Sequence, residues 1–291
     1  MLLQLLIGGT ATGCLYSIIA IGFALLWQTS QVINFAQGDF IAGAAFVMLF
    51  FYAILHLPYA LALALTFIII AFIFGFVFKT AVVQRLIERP LLSLVCATIG
   101  IGILTQNSLI FYSSEGQPFP SIIQETIISV ANSKISSLEL LNIFLGVVII
   151  IVLQLFVRKT KTGKALQAVA QNRETAKIVG IDVSRMVTLV FVINAVLVTL
   201  AAVLISPIYI AKYDMGAVLG LRAFYAAIVG GFNQIRGALL GGLLIGYIEV
   251  FTSAYITSEY SEVVILAILI ATILFKPEGI WGTKEVWSKE L

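Results

Sequence analysis

The side chains able to do chemistry in this chain of 291 residues are few, and none form a catalytic grouping. There is no Ser-His-Asp arrangement, no HExxH string and no Cys/His cluster. His56, the only histidine, stands beside Pro58 near the end of an apolar run and reads as a membrane-interface residue. The string TGKA at 162–165 is not a phosphate-binding loop, because Arg158 occupies the place of the first glycine and Ala165 that of the Ser/Thr. ATP hydrolysis by that route is excluded. Cys14 and Cys96 lie far apart in apolar segments and read as small buried hydrophobes. What remains is a set of polar side chains embedded in apolar surroundings. Asn34, Gln37 and Asp39 cluster in QVINFAQGDF at 31–40, while Gln106, Asn107, Asn194 and Glu249 stand alone or in pairs further on. An ionisable residue inside a bilayer costs about 2.5–3.5 kcal/mol on insertion scales and so faces a protein interior. Glu249 can pair with Arg222, which would satisfy both. An ion pump or proton-coupled carrier needs several buried acidic or His groups in line. With only Asp39 and Glu249 at depth, a pathway here suits neutral or zwitterionic solutes. For Asn107 and Asn194, helix-to-helix glue and solute contact both stay open.

A second group of residues is basic. The stretch 158–185, RKTKTGKALQAVAQNRETAKIVGIDVSR, carries seven Lys or Arg between two long apolar runs. Asn172 is a good N-cap and Gly180 a good left-handed stop, so 173–179 is expected to be helical, with Asp182 capping the helix that follows. Another short helix, at 163–170, is expected before it. A helix of two turns is marginal unless something holds it. The segment is thus either a solvated loop or a docking element for a soluble partner. In the second case Leu166, Val169, Ala176, Ile178 and Val179 would supply apolar contact, and Lys164, Arg173 and Lys177 rim charge.

The elements that position these residues follow from composition. At 61% apolar and 11% charged residues, with mean hydropathy +1.10, the chain lies far outside the soluble norm of about 45–50% apolar. Its length holds about eight to ten membrane spans of ~20 residues. Apolar runs place spans near 8–27, 38–55, 59–78, 91–112, 139–157, 186–206, 238–256 and 260–275. The fold class expected is all-α: a polytopic transmembrane bundle of about eight or nine segments, forming one transmembrane domain over 1–291. Lys79, Arg85 and Arg89 mark one basic loop, 158–185 another, and Lys276, Lys284 and Lys289 a basic tail; the positive-inside rule makes all three cytoplasmic. Parity then requires the short run 217–230 to cross as well. All but Lys134, Lys212 and Arg222 of the seventeen basic residues then lie inside, with the N-terminus outside and the C-terminus cytoplasmic. MLLQLLIGG lacks a basic leader, so the first span is expected to be retained. Fourteen residues at 217–230 cover only about 21 Å, so a broken or partly submerged helix is expected there. The glycines from Gly216 to Gly246, Gly230 and Gly231 among them, would allow close backbone approach. QVINFAQGDF and this glycine-rich region are expected to approach one another near a translocation path, with Asn34, Gln37, Asp39, Gly230, Gly231 and Glu249 as its candidates.

Four strings in order resemble one known family. VINFAQGDF at 32–40 is similar to the VINFAHGEF-type signature of permease subunits of branched-chain amino acid ABC importers, with Gln37 for His and Asp39 for Glu. The string at 162–185 resembles that family's cytoplasmic loop, AFYAAIVGGFNQIRGALLGGLLIGYIE at 223–249 its glycine block, and KPEGIWG at 276–282 its RPxGLFG tail. The resemblance implies a multi-pass plasma-membrane (bacterial inner-membrane) subunit that is not itself an enzyme. Its partners would be two ATP-binding subunits, a second homologous permease, an extracytoplasmic solute-binding protein and the lipid bilayer. No cofactor, metal or nucleic acid is implied. Lys164, Leu166, Val169, Asn172, Arg173, Ala176, Val179 and Gly180 would be the ATPase-coupling residues; Gln167 departs from the family's basic residue there. Family members carry branched-chain or other neutral amino acids, and related ones urea and short amides. A stand-alone secondary carrier or channel is the reading from a different class.

Overall fold

A computed structural model describes residues 1–87, 89–130 and 133–282. Eleven helices are described: α1 (Leu2–Ser30), α2 (Gln37–Ile54), α3 (Tyr59–Leu86), α4 (Leu91–Ile110), α5 (Ser137–Lys159), α6 (Lys161–Gln171), α7 (Arg173–Ile178), α8 (Val183–Tyr209), α9 (Met215–Gly230), α10 (Ile235–Tyr255) and α11 (Ser258–Phe275). Among the described residues eight helices are long and apolar enough to cross a membrane, and α9 is a shorter apolar helix. The chain is therefore an all-α, polytopic membrane protein, and each span expected from the apolar runs has its helix. The exception to all-α is one antiparallel hairpin between α4 and α5, β1 (Ile127–Val130) paired with β2 (Ser133–Ser136), with Ile127 opposite Ser136.

The helix over 215–230 is short, as expected, and of the alternatives left open it is the unbroken one; its sixteen residues reach only about 24 Å. One expectation about elements changes. The third span runs on to Leu86, past the expected end at 78, because KTAVVQRL holds no helix breaker. Lys79 and Arg85 therefore sit on helix rather than in a loop. Lys79 is buried, and its Nζ donates to Gln84 Oε1 at 3.3 Å. Wider π-type turns lie at Ala71–Val77, before the extension, and at Lys79–Val83, within it.

The chain divides into two compact units. One comprises 25–120 and 153–220. Here α2 packs on α4 and α8, and α3 packs on α8. A run of rings fixes these helices: Phe40 stacks on Phe74 with centroids 3.7 Å apart, and Phe78 contacts both Phe40 and Phe191. Gly75 lets α3 close on α8, since a Cβ there would lie 3.0 Å from the Val192 Cα. On α4 the residues Leu94, Thr98 and Gly102, one turn apart, are buried. Cys96 faces the other way and is exposed, so only Cys14 is the buried thiol expected of both.

The other unit comprises 1–24, 121–152 and 221–291. The first half of α1 lies directly against α10, where a Cβ on Gly13 would sit 2.8 Å from the Leu243 Cα. Ser17 Oγ bonds the Leu239 carbonyl at 2.7 Å, and Ser253 and Ser261 share a hydroxyl bond at 2.8 Å between α10 and α11. Small residues at such contacts drive helix association in lipid, where burial of apolar surface offers little.

Candidate functional site

The candidate residues fall into three groups, and each forms inside one compact unit. The first lies where α2 begins. Gln31 adopts a left-handed backbone (φ 56) after α1, and the chain re-enters helix at Gln37. Between them Asn34 Oδ1 accepts from the Ala36 amide at 3.1 Å, the local turn for which Asn is suited, and the Phe35 amide donates to Thr98 Oγ1 on α4 at 3.3 Å. Asn194 Nδ2 on α8 then donates to Gln37 Oε1 at 3.1 Å, and Gln106 Nε2 on α4 donates to Asp39 Oδ1 at 2.7 Å. Gly102 leaves the space that the Asp39 carboxylate fills. All of Asn34, Gln37, Asp39 and Asn194 are buried. Among the described residues Asn34 Nδ2 and Asn194 Oδ1 have no hydrogen-bond partner. The cluster thus pairs amide with amide and carboxylate with amide, and leaves polar atoms of Asn34 and Asn194 buried without a partner. Asn194 thus bridges helices. Asn107 does not: it is exposed, and its Nδ2 returns to the Ile103 carbonyl of its own helix at 2.7 Å.

The same unit brings Gly38 against Gly216 and Gly220 of α9; a Cβ on Gly220 would lie 2.6 Å from the Gly38 Cα. The expected approach of QVINFAQGDF to the glycine-rich region is present at these residues. Gly230, Gly231 and Glu249 belong to the other unit.

There the second group forms. Tyr16 OH donates to Glu249 Oε2 at 2.6 Å, and Arg222 Nη1 donates to the Tyr16 oxygen at 3.2 Å and to Glu249 Oε1. The ion pair inferred from topology is real, with side chains 20% and 13% exposed. Tyr16 was not foreseen, since a tyrosine in an apolar run gives no signal beyond packing. Gly230 and Gly231 end α9, where a side chain on Gly230 would strike the Gly237 carbonyl. Gly231 takes φ 118, and the tail 276–282 docks on it: the Ile280 and Trp281 amides donate to the Val229 and Gly230 carbonyls at 2.8 and 3.0 Å. A distant segment thereby caps the open end of α9.

The third group is the basic segment. Thr160 Oγ1 caps α6 by accepting from the Gly163 amide at 2.9 Å, Asn172 Oδ1 caps α7 from Thr175 at 2.9 Å, and Asp182 Oδ1 caps α8 from Arg185 at 3.0 Å. Gly180 is left-handed (φ 84), with nothing within 4 Å of where a Cβ would lie. The caps at Asn172 and Asp182 and the left-handed stop at Gly180 are those read from the sequence; the Thr160 cap is additional, and α6 starts two residues earlier than expected. The side-chain directions differ. Leu166, Val169 and Ala176 are buried in the chain itself, because a helix this short must spend its apolar face on its own protein. Arg173 bonds the Thr29 carbonyl through Nε at 3.1 Å and through Nη2 at 2.5 Å rather than forming a rim charge. Burial pulls its guanidinium below the ordinary value, though an arginine stays cationic. Outward lie Ile178 and Val179, 84% and 68% exposed, and Lys164, Asn172 and Lys177 are exposed on the same segment.

Residues 5–273 match the family described as "Branched-chain amino acid transport system / permease component". The chain belongs to this family. The permease is 31% identical to the high-affinity branched-chain amino acid transport system permease protein BraD of Pseudomonas aeruginosa, over 98% of its own length and 97% of the relative's. It is 30% identical to the corresponding protein LivH of Escherichia coli K12 over 98% and 96%. A probable branched-chain amino acid transport permease protein LivH of Methanocaldococcus jannaschii is 28% identical over 94% and 89%. No solved structure matches the permease.

Proposed function

We propose that this permease is the membrane subunit of an ATP-driven importer for branched-chain or other neutral amino acids. It forms half of a translocation pathway beside a second permease. It receives solute from an extracytoplasmic binding protein, and two separate ATP-binding subunits drive it. The observation that carries the reading is the family match over nearly the whole chain. Two features of the structure support it: a charge-poor buried cluster with a free amide donor and a free amide acceptor, and a capped helix pair that exposes Ile178 and Val179. Large apolar side chains exposed on a basic, polar element suit a groove on a soluble protein. The relatives' names favour amino acids over urea and short amides. In the membrane the basic segment and the tail face the cytoplasm, and the N-terminus faces outward.

The test is reconstitution in liposomes. With both permeases, the ATP-binding subunits and enclosed ATP inside, and the binding protein outside, radiolabelled leucine, isoleucine or valine accumulates, and it does not when the lumen holds no ATP. Uptake driven by an ion gradient with no ATP-binding subunit present would overturn the reading in favour of a secondary carrier.

A further inference from the structure

Arg173 stands in the segment assigned to ATPase coupling, yet its guanidinium points inward. Nε and Nη2 converge on one backbone oxygen, the carbonyl of Thr29, from 144 residues away. Thr29 lies in the last turn of α1, where helical carbonyls lack an intrahelical partner and the dipole favours a cation. Neighbouring carbonyls of that turn are already taken, Leu26 by Ser30 Oγ and Trp27 by the Gln31 amide. Thr29 and Ser30 are both 1% exposed and Arg173 is half-buried, so the bond is partly shielded from water, where a charged hydrogen bond keeps more of its strength. Immediately beyond, the chain turns at Gln31 and within three residues reaches Asn34 and then Gln37, the start of the buried polar cluster.

We propose that Arg173 is the positioning residue that ties the coupling segment to the inner end of α1, so that displacement of α7 by the ATP-binding subunit shifts the turn 31–36 and the cluster it leads into. This inference rests on the function proposed above and adds to it a defined route for the motion. The route is short: α7, the guanidinium, the Thr29 carbonyl, the left-handed turn at Gln31, then Asn34 and the Gln37–Asn194 and Asp39–Gln106 pairs. A merely structural arginine would hold α7 in place. Losing it would lower uptake and hydrolysis together by reducing the assembled complex. A transmitting arginine makes a different prediction, because hydrolysis continues while solute movement per ATP falls.

The experiment uses the whole importer in proteoliposomes, with uptake and ATP hydrolysis measured on the same vesicles and normalised to assembled complex. Arg173→Met keeps the stem and removes the donors. Solute carried per ATP is expected to fall roughly tenfold, the scale of losing a charged hydrogen bond, while hydrolysis continues but no longer responds to loaded binding protein. If uptake per ATP is unchanged in Arg173→Met, the inference is overturned although the importer reading stands. If the unaltered complex shows no ATP-driven uptake, the importer reading itself fails. Should Arg173→Met not assemble, Arg173→Lys is read instead. A single ammonium makes one of the two converging bonds, so uptake per ATP is expected to drop by a smaller factor. An unchanged ratio in that variant equally overturns the proposal.

Discussion

At Arg222 and Glu249 two charges share a membrane-spanning region and cancel one another, with Tyr16 bonded to both. A pair of this kind contributes less to stability than its removal costs, because one partner left behind is an uncompensated charge in a poorly solvated place. Arg222→Met alone should therefore lower the melting temperature of the detergent-solubilised permease, on the scale of about 3–5 kcal/mol. The double change Arg222→Met with Glu249→Met should recover most of that loss. A double variant no better than the single one would mean that the charges serve something other than each other. Gly38 makes a second prediction by packing. Gly38→Ala pushes a methyl into the backbone of Gly216 and should cost about 1–3 kcal/mol. Gly100→Ala, with nothing within 4 Å, should leave the melting temperature within the scatter of the unaltered protein.

α6 and α7 are too short to persist alone, and they persist through side-chain caps and three buried apolar residues. Asn172→Ala should remove a cap worth about 1 kcal/mol. Gly180 is more sensitive, for a reason that is conformational and not steric: its φ is positive but its surroundings are open. Gly180→Asn should be tolerated, because Asn enters the left-handed region. Gly180→Val should cost about 1–2 kcal/mol and misplace the exposed Ile178 and Val179. Solute-stimulated ATP hydrolysis by the assembled importer is the measurement. Equal stimulation in the Val and Asn variants would remove the segment from the coupling role. The short helix α9 depends in a similar way on the tail, whose Gly279 (φ 87) and backbone amides close its last turn.

For the whole molecule, the basic residues give a direction across the membrane that the eight spans alone do not. In a chain with Cys14 and Cys96 replaced by alanine, Ser129→Cys in β1 should react with an impermeant thiol reagent added to intact cells. Gln167→Cys on α6, also exposed, should react only after the membrane is opened. The opposite pattern would invert the orientation and with it the side assigned to the ATP-binding subunits.

The spans, the short apolar helix, the three caps at Thr160, Asn172 and Asp182 and the left-handed Gly180 are local matters, set by apolar run length, cap chemistry and the presence or lack of a Cβ. Of these only the Thr160 cap needed the structure to point it out. The sequence also located the polar positions, because an Asn, Asp or Glu inside an apolar run is costly unless partnered. Apart from the Arg222–Glu249 pair, it did not determine which partner. That Gln37 meets Asn194, that Asp39 meets Gln106, and that Tyr16 joins Arg222 and Glu249 depend on which helices become neighbours, and those pairs lie far apart in the chain. The inward direction of Leu166, Val169, Ala176 and Arg173 was likewise decided by tertiary packing. An amphipathic helix read alone has an apolar face but no indication of whether its own protein or a partner covers it. Cys96 shows the converse, since its apolar surroundings in sequence are shared by both faces of α4 and only the packing of α4 decided which face was outward.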